Sequence, residues 1–175
     1  MLDGMNDVCA PTYGQVTGKR LRVRPLARGE DDILQDVFDG MSVWSRYQRY
    51  HTAMPRLTPA NRAALSAVDG RRRVALVAER IGPTGWVAEG LGHLVATGTG
   101  RAELAVEVID AAQGRGVGKT LLRHLTTVAE ALGYDVVEAA VLTSNTTMLG
   151  LLHRLFPDAR TTVEGETVAV EVRIG

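Results

Sequence analysis

Apolar and polar positions alternate along several short stretches of the chain and recur every three or four residues along others. Leu21 and Val23 alternate with Arg20, Arg22 and Arg24, predicting a strand over Lys19–Pro25 with one wet face, ended by Pro25. Ile33, Leu34, Val37 and Phe38 then mark the buried stripe of a helix that Asp31 and Asp32 open and Gly40 stops. A second helix is predicted over Ser42–His51, and a third begins at Thr58 as cap with Pro59 in its first turn. Strands follow over Arg71–Arg80 and Trp86–Thr97, joined by the breaker-rich loop Ile81–Gly85. Gly98-Thr99-Gly100 turns the chain into a strand on which Leu104, Val106 and Val108 face one way and Glu103, Ala105 and Glu107 the other.

The stretch after that strand is the most informative. A loop, Ile109 to Ala112, leads to Gln113-Gly114-Arg115-Gly116-Val117-Gly118-Lys119-Thr120, and Val117, Leu121, Leu125, Val128, Ala129 and Leu132 then recur at helical spacing. Gly133 is the expected cap of that helix, Val136–Leu142 the next strand, Asn145–Phe156 the last helix, and Ala159–Val163 with Thr167–Ile174 a closing hairpin around Glu164-Gly165-Glu166. The order β-α-α-α-β-β-β-α-β-α-β-β predicts a mixed α/β sheet of about seven strands, largely antiparallel.

Three glycines in five positions at a helix start point to an anion site. The first-turn N–H groups lack internal partners, the peptide dipoles lend that end partial positive charge, and absent Cβ atoms let a phosphate approach. Two phosphate motifs fail on particular residues. The P-loop pattern needs glycine where Gln113 stands, and the later strand ends in Thr143-Ser144-Asn145 rather than a magnesium-binding aspartate. The dinucleotide pattern needs a third glycine where Lys119 stands.

Gln113-Gly114-Arg115-Gly116-Val117-Gly118 does match Q/R-x-x-G-x-G/A, and in this it resembles the coenzyme A loop of the GNAT superfamily of N-acetyltransferases. The resemblance extends over residues 19 to 175 as one domain, preceded by a tail over residues 1–18. Ser45-Arg46-Tyr47-x-Arg49-Tyr50 and Pro55-Arg56-Leu57-Thr58 resemble the bacterial protein-lysine acetyltransferase branch, although Tyr50-His51 replaces that branch's paired phenylalanines. The resemblance implies acetyl-CoA as co-substrate. It places the ligand against the backbone of Val106, Val108 and Ile109, the loop and first turn from Gln113 through Gly114, Arg115, Gly116, Val117, Gly118, Lys119 and Thr120, and Asn145 beyond. A bulge near Val108 is expected to part the central strand from its neighbour.

Transfer to an amine needs a base, because a lysine ammonium has a reference pKa of ~10.4. Glu103 is the first candidate, by its resemblance to a family glutamate, and Glu107 on the same face the second. The family's usual acid on the last helix, a tyrosine seven positions after the asparagine, is replaced here by Leu152 beside His153, so water is the expected proton donor to the leaving thiolate. The acceptor implied is a protein lysine, with a small-molecule amine or a non-catalytic acyl-CoA-sensing module as alternatives.

Composition narrows the field. Lys plus Arg and Asp plus Glu number 20 each, so no global positive field would hold nucleic acid. The run Arg71-Arg72-Arg73 reads as a solvated strand entrance. One cysteine and four scattered histidines suggest neither a disulfide nor a metal site. The start carries no basic-then-apolar leader and no run long enough to span a bilayer, so the expectation is a cytoplasmic protein with no membrane partner, open to forming a homodimer.

Overall fold

The computed structural model describes residues 21–175; the tail expected over residues 1–18, with Lys19 and Arg20, lies outside them. Strand β1 (Leu21–Pro25) buries Leu21 and Val23, while Arg22 and Arg24 turn to the other face and both reach Glu79. Helix α1 (Asp31–Asp39) buries Leu34, Val37 and Phe38. Helix α2 (Val43–Tyr50) is capped by Ser42 and ends at His51, and α3 (Pro59–Ser66) is capped by Thr58. Each cap hydroxyl accepts the N–H three residues on, satisfying one of the amides a helix start leaves free.

Strands β2 (Arg73–Gly82) and β3 (Gly85–Gly98) form a hairpin whose turn is only Pro83-Thr84. The loop expected over Ile81–Gly85 is therefore shorter, because Ile81 pairs with Trp86 and Gly82 with Gly85. The Asp69 carboxylate accepts the N–H groups of Arg71, Arg72 and Arg73, so the basic run is an exposed strand entrance tied down through its backbone. Strand β4 (Arg101–Val108) is followed by a single 3₁₀ turn, Asp110–Ala112, and helix α4 (Val117–Ala131). Leu132, not Gly133, is the C-cap of α4; Gly133 follows it at φ +81°, the left-handed value that glycine adopts most cheaply. Strand β5 (Val136–Leu142), helix α5 (Thr146–Leu155) and the hairpin of β6 (Arg160–Glu164) and β7 (Thr167–Arg173) complete the chain.

The seven strands lie in the order β1-β2-β3-β4-β5-β7-β6, and only β4 and β5 run parallel. Helices cover both faces. On one, α4 places Leu121, Leu125 and Val128 against Leu104, Val106 and Val137; on the other, α1 packs Leu34, Val37 and Phe38 against Val77 and Leu91. A fully buried leucine such as Leu121 or Leu125 stabilises the fold by about 2 kcal/mol.

One joint in the sheet is incomplete. Strand β5 pairs with β7 along its whole length, yet with β4 only at Arg101–Val136, Ala102–Val137 and Glu103–Glu138. The strands part beyond Glu103. The expected bulge does not cause this, since β4 keeps unbroken register with β3 from Ala102 to Val108 and the register shifts fall at Ala78/Glu79 and Ala96/Gly98. Beyond Glu138, strand β5 stays paired with β7 alone.

Candidate active site

The gap between β4 and β5 opens into a cavity of about 690 Å³, walled by α2, the glycine loop, the start of α4 and α5. Because the Ile109 N–H bonds to Glu89 of β3, the antiparallel alternation turns the N–H and C=O of Val106 and Val108 away from β3 and toward the gap. The Gln113 side chain confirms that direction by donating to the Val108 carbonyl at 3.3 Å. The N–H and C=O of Val106 and the N–H of Val108 thus face a ligand lying in the gap, while the Val108 carbonyl is taken by Gln113.

The loop after β4 is clipped in place from two sides. Asp110 N–H donates to the Gly40 carbonyl at 2.9 Å, a close approach that a side chain at Gly40 would block, since its Cβ would lie 2.6 Å from Ile109 Cγ2. Ser45 of α2 donates to the Asp110 carboxylate at 2.7 Å, and the Gln113 amide bonds Asp110 and Ser45 at 3.1 and 3.2 Å. Gly114 and Gly116 then take φ +71° and +87°, and a Cβ on either would meet nothing within 4 Å. Gly118 is ordinary helix. No side chain caps α4, and the first of its amides to bond backward among the described residues is Thr120 N–H to Gly116 O, which leaves the N–H groups of Val117, Gly118 and Lys119 available. The loop is a bare cradle of amides at a helix N-terminus.

Of the residues expected to meet the ligand, Val106, Val108, Gln113, Gly114, Gly116, Val117, Gly118, Lys119 and Asn145 line this cavity. The other three point elsewhere. Ile109 packs toward the core at Gly40, Arg115 reaches Glu89 at 3.5 Å, and Thr120 donates back to Gly116 O. Asn145 caps α5, its side-chain oxygen accepting Met148 N–H at 3.0 Å. Leu152 lines the cavity, whereas His153 is exposed and does not.

The two carboxylates differ sharply. Glu103 is exposed and lies where the large cavity adjoins a smaller one of about 280 Å³. Glu107 is only 3% exposed, accepts the Tyr50 hydroxyl at 2.8 Å and faces Arg49 Nε at 3.3 Å and His93 Nε2 at 3.7 Å. Burial pushes its carboxyl up, but His93, the Arg49 charge and the Tyr50 hydroxyl outweigh burial and hold it below the usual carboxylate range. Burial and the Glu107 charge push the Tyr50 phenol up, so it remains a donor. Arg49 and His93 are the site residues that sequence reasoning missed, and the available signal was a histidine inside the otherwise apolar run Leu91–Val95. The α2 aromatics divide: Tyr50 packs against the core on the α1 side, its ring 6.0 Å from Phe38, whereas Trp44 is 58% exposed and stacks on Tyr47 at the cavity mouth.

The model of the acetyltransferase (GNAT) family matches residues 37–156, spanning the parted strands, the cradle and α5. This chain belongs to that family. Among solved structures it is similar to the GNAT domain of S. lividans PAT, at 27% identity and TM-score 0.78, over 87% of this chain and 90% of that one. It is also similar to a cAMP-binding acyltransferase from Mycobacterium smegmatis, at 27% identity and TM-score 0.59, over 89% of this chain but 44% of that one. In fold it resembles Salmonella typhimurium yncA, solved with its cofactor acetyl-CoA, at 19% identity and TM-score 0.67, over 89% of this chain and 94% of that one. No match was found among curated proteins. The GNAT protein is an acyltransferase of the acyl-CoA N-acetyltransferase type, with acetyl-CoA as co-substrate. Its own residues fit that ligand: the cradle supplies amides for a diphosphate, and the exposed edge of β4 supplies backbone groups for an extended amide-bearing arm.

Proposed function

We propose that the protein moves the acetyl group of acetyl-CoA onto a protein lysine side chain, with Glu103 as general base. The observation that carries this reading is the placement of Glu103 at the last β4–β5 pair, an exposed carboxylate beside the opening, while Glu107 is engaged by Tyr50, Arg49 and His93. The co-substrate supplies an activated acyl group. The chain's residues supply the rest: the cradle amides hold the diphosphate, the Val108 N–H donates to the carbonyl oxygen as it gains charge, and Glu103 takes the proton that makes the amine nucleophilic. Water serves as proton donor to the leaving thiol, consistent with Leu152 and the outward His153.

A protein acceptor is supported by the 27% identity to S. lividans PAT and by the exposed Trp44 at the cavity mouth. A small amine is the second reading, favoured by the smaller cavity adjoining Glu103. Release of free coenzyme A, measured against a panel of protein substrates, lysine peptides and small amines, separates the two. Glu103→Gln is expected to lower kcat about 100-fold or more while leaving acetyl-CoA affinity intact; full turnover by this variant would remove Glu103 from the role.

A further inference from the structure

In strands β2 to β5, arginines hold every glutamate but one. Glu79 pairs with Arg22 and Arg24, Glu89 with Arg80 and Arg115, Glu107 with Arg49, and Glu138 with Arg101, which also reaches Glu171 of β7. Glu103 is the exception. It stands beside Glu138 in the β4–β5 ladder and on the same strand face as Arg101, yet it makes no hydrogen bond or ion pair among the described residues. A cation does share its row. Arg73 of β2 lies opposite Val95 of β3, and Val95 opposite Glu103 of β4, so the three side chains leave the same face of the sheet. Two strand spacings of ~4.8 Å set the backbones of Arg73 and Glu103 about 10 Å apart, and no ion pair joins the two residues.

Both ends of that row open into the smaller cavity. Arg73 and Glu103 line it, with Val95 between them and the apolar Leu65 and Val68 reaching in from α3 and the residues just after it. Arg49 and His93 line it too, but both turn to the buried Glu107, at 3.3 and 3.7 Å. Arg73 gives one N–H to the Ala64 carbonyl in the last turn of α3, at 3.3 Å, and the rest of its guanidinium has no partner among the described residues. Arg73 and Glu103 are both exposed. The cavity therefore presents one uncommitted charge of each sign, with an apolar floor between them.

We propose that this cavity reads a carboxylate on the acceptor: the amine binds at Glu103, its apolar chain lies over Val95, and a carboxylate farther along the acceptor meets Arg73. This rests on the reading of Glu103 as the residue that receives the amine. An acceptor carrying both charges matches the pair, whereas one with a second cation in place of the carboxylate meets Arg73 as a like charge. Two kinds of acceptor carry this chemistry. One is a protein lysine beside an aspartate or glutamate; the other is a free amino acid whose own carboxylate fills the role. Polyamines, and lysines flanked by arginine, are then the poor substrates. Arg73 is a specificity residue and takes no part in the transfer itself.

The test is coenzyme A release with end-blocked peptides that hold one lysine next to glutamate, alanine or arginine, and with 6-aminohexanoate against hexylamine. The glutamate peptide is expected to exceed the alanine peptide about 5- to 10-fold in kcat/KM and the arginine peptide by more, with the margin shrinking as salt is added. Arg73→Glu should reverse the order of the glutamate and arginine peptides. Arg72→Glu, the same change of charge at a neighbour outside the cavity lining, should keep it. Calorimetry with acetyl-CoA checks that each variant is folded; if Arg73→Glu is not, the wild-type preference and its salt dependence carry the test. A preference among the peptides supports the inference with a protein acceptor, and a preference for 6-aminohexanoate alone supports it with a small one. Equal turnover across both sets while Glu103→Gln is inactive, or an order that Arg73→Glu leaves unchanged, overturns the inference alone. Full turnover by Glu103→Gln overturns the base assignment and the inference with it, and a wild-type protein that turns over no amine overturns the proposed function as well.

Discussion

Gly116 and Gly118 stand two residues apart in one motif, yet the structure gives them opposite costs on substitution by alanine. Gly116 sits at φ +87°, where an L side chain costs about 1–2 kcal/mol, and its Cβ would enter open space on the ligand side of the loop. Gly118 has helical geometry, and its Cβ would meet Leu151 Cδ2 at 3.6 Å and Val108 Cγ2 at 3.7 Å, which are ordinary packing distances. Alanine there gains up to about 1 kcal/mol of helix propensity, somewhat less in the first turn, with a further fraction from the packed methyl. At about 2–4 °C per kcal/mol for a domain of this size, Gly118→Ala should raise the Tm by about 1–5 °C and Gly116→Ala should lower it by about 2–8 °C. Thermal melts with and without acetyl-CoA measure both effects. Gly118→Ala should keep the ligand-induced rise in Tm, as the G/A alternative in the motif allows, and Gly116→Ala should lose most of it. A Gly116→Ala protein that acetyl-CoA stabilises as strongly as wild type would refute the cradle; a Gly118→Ala protein that melts lower than wild type would refute the packing argument.

Two further outcomes follow from other parts of the fold. At Gly90 a Cβ would lie 2.6 Å from the Glu107 carbonyl oxygen, a backbone atom that cannot rotate away, so Gly90→Ala must force β3 from β4. It should cost about 3 kcal/mol or more, seen as a Tm lower by about 6 °C or more; a drop under about 2 °C would show that the strands yield cheaply. Acid should destabilise the protein as well. The Arg24 hydrogen bonds hold the Glu30 carboxyl below its ordinary value, three backbone amides do the same for Asp69 and Thr97 with Arg101 for Glu138, while Glu107 is held down against its burial. The unfolded chain therefore binds more protons than the native one in acid. The stability these groups contribute is present above their unfolded values of ~4 and is lost as pH falls through the lowered native values. The Tm should drop steeply below pH ~4, and a Tm that stays level from pH ~5 to ~3 would contradict these assignments.

Much of this architecture is legible in the sequence because local rules and tertiary demands agree. Alternation marks β1 and β4, the Thr58-Pro59 pair fixes where α3 begins, and Leu121, Leu125 and Val128 align on the face of α4 that becomes core. The glycine motif is readable because positive φ and absent Cβ atoms leave a compositional trace. Other features depend on neighbours that are remote in sequence. Glu103 and Glu107 look alike as alternating acids, and only α2, more than fifty residues earlier, makes one buried and leaves the other open. The parting of β4 from β5 leaves no mark in β4 itself, which keeps unbroken register with β3 through the point where β5 leaves it. His93 could not be paired with Glu107 without knowing the β3–β4 register.

The parting of those two strands has a consequence for the molecule between turnovers. A strand fourth in a row of seven is normally sealed on both flanks, but this one exposes a ragged flank deep inside the sheet, the kind of surface that invites a foreign strand to dock. On the binding mode proposed above, the co-substrate would cover that flank. Saturation with acetyl-CoA is then expected to lower self-association of the protein as well as to support turnover, which light scattering with and without the ligand measures.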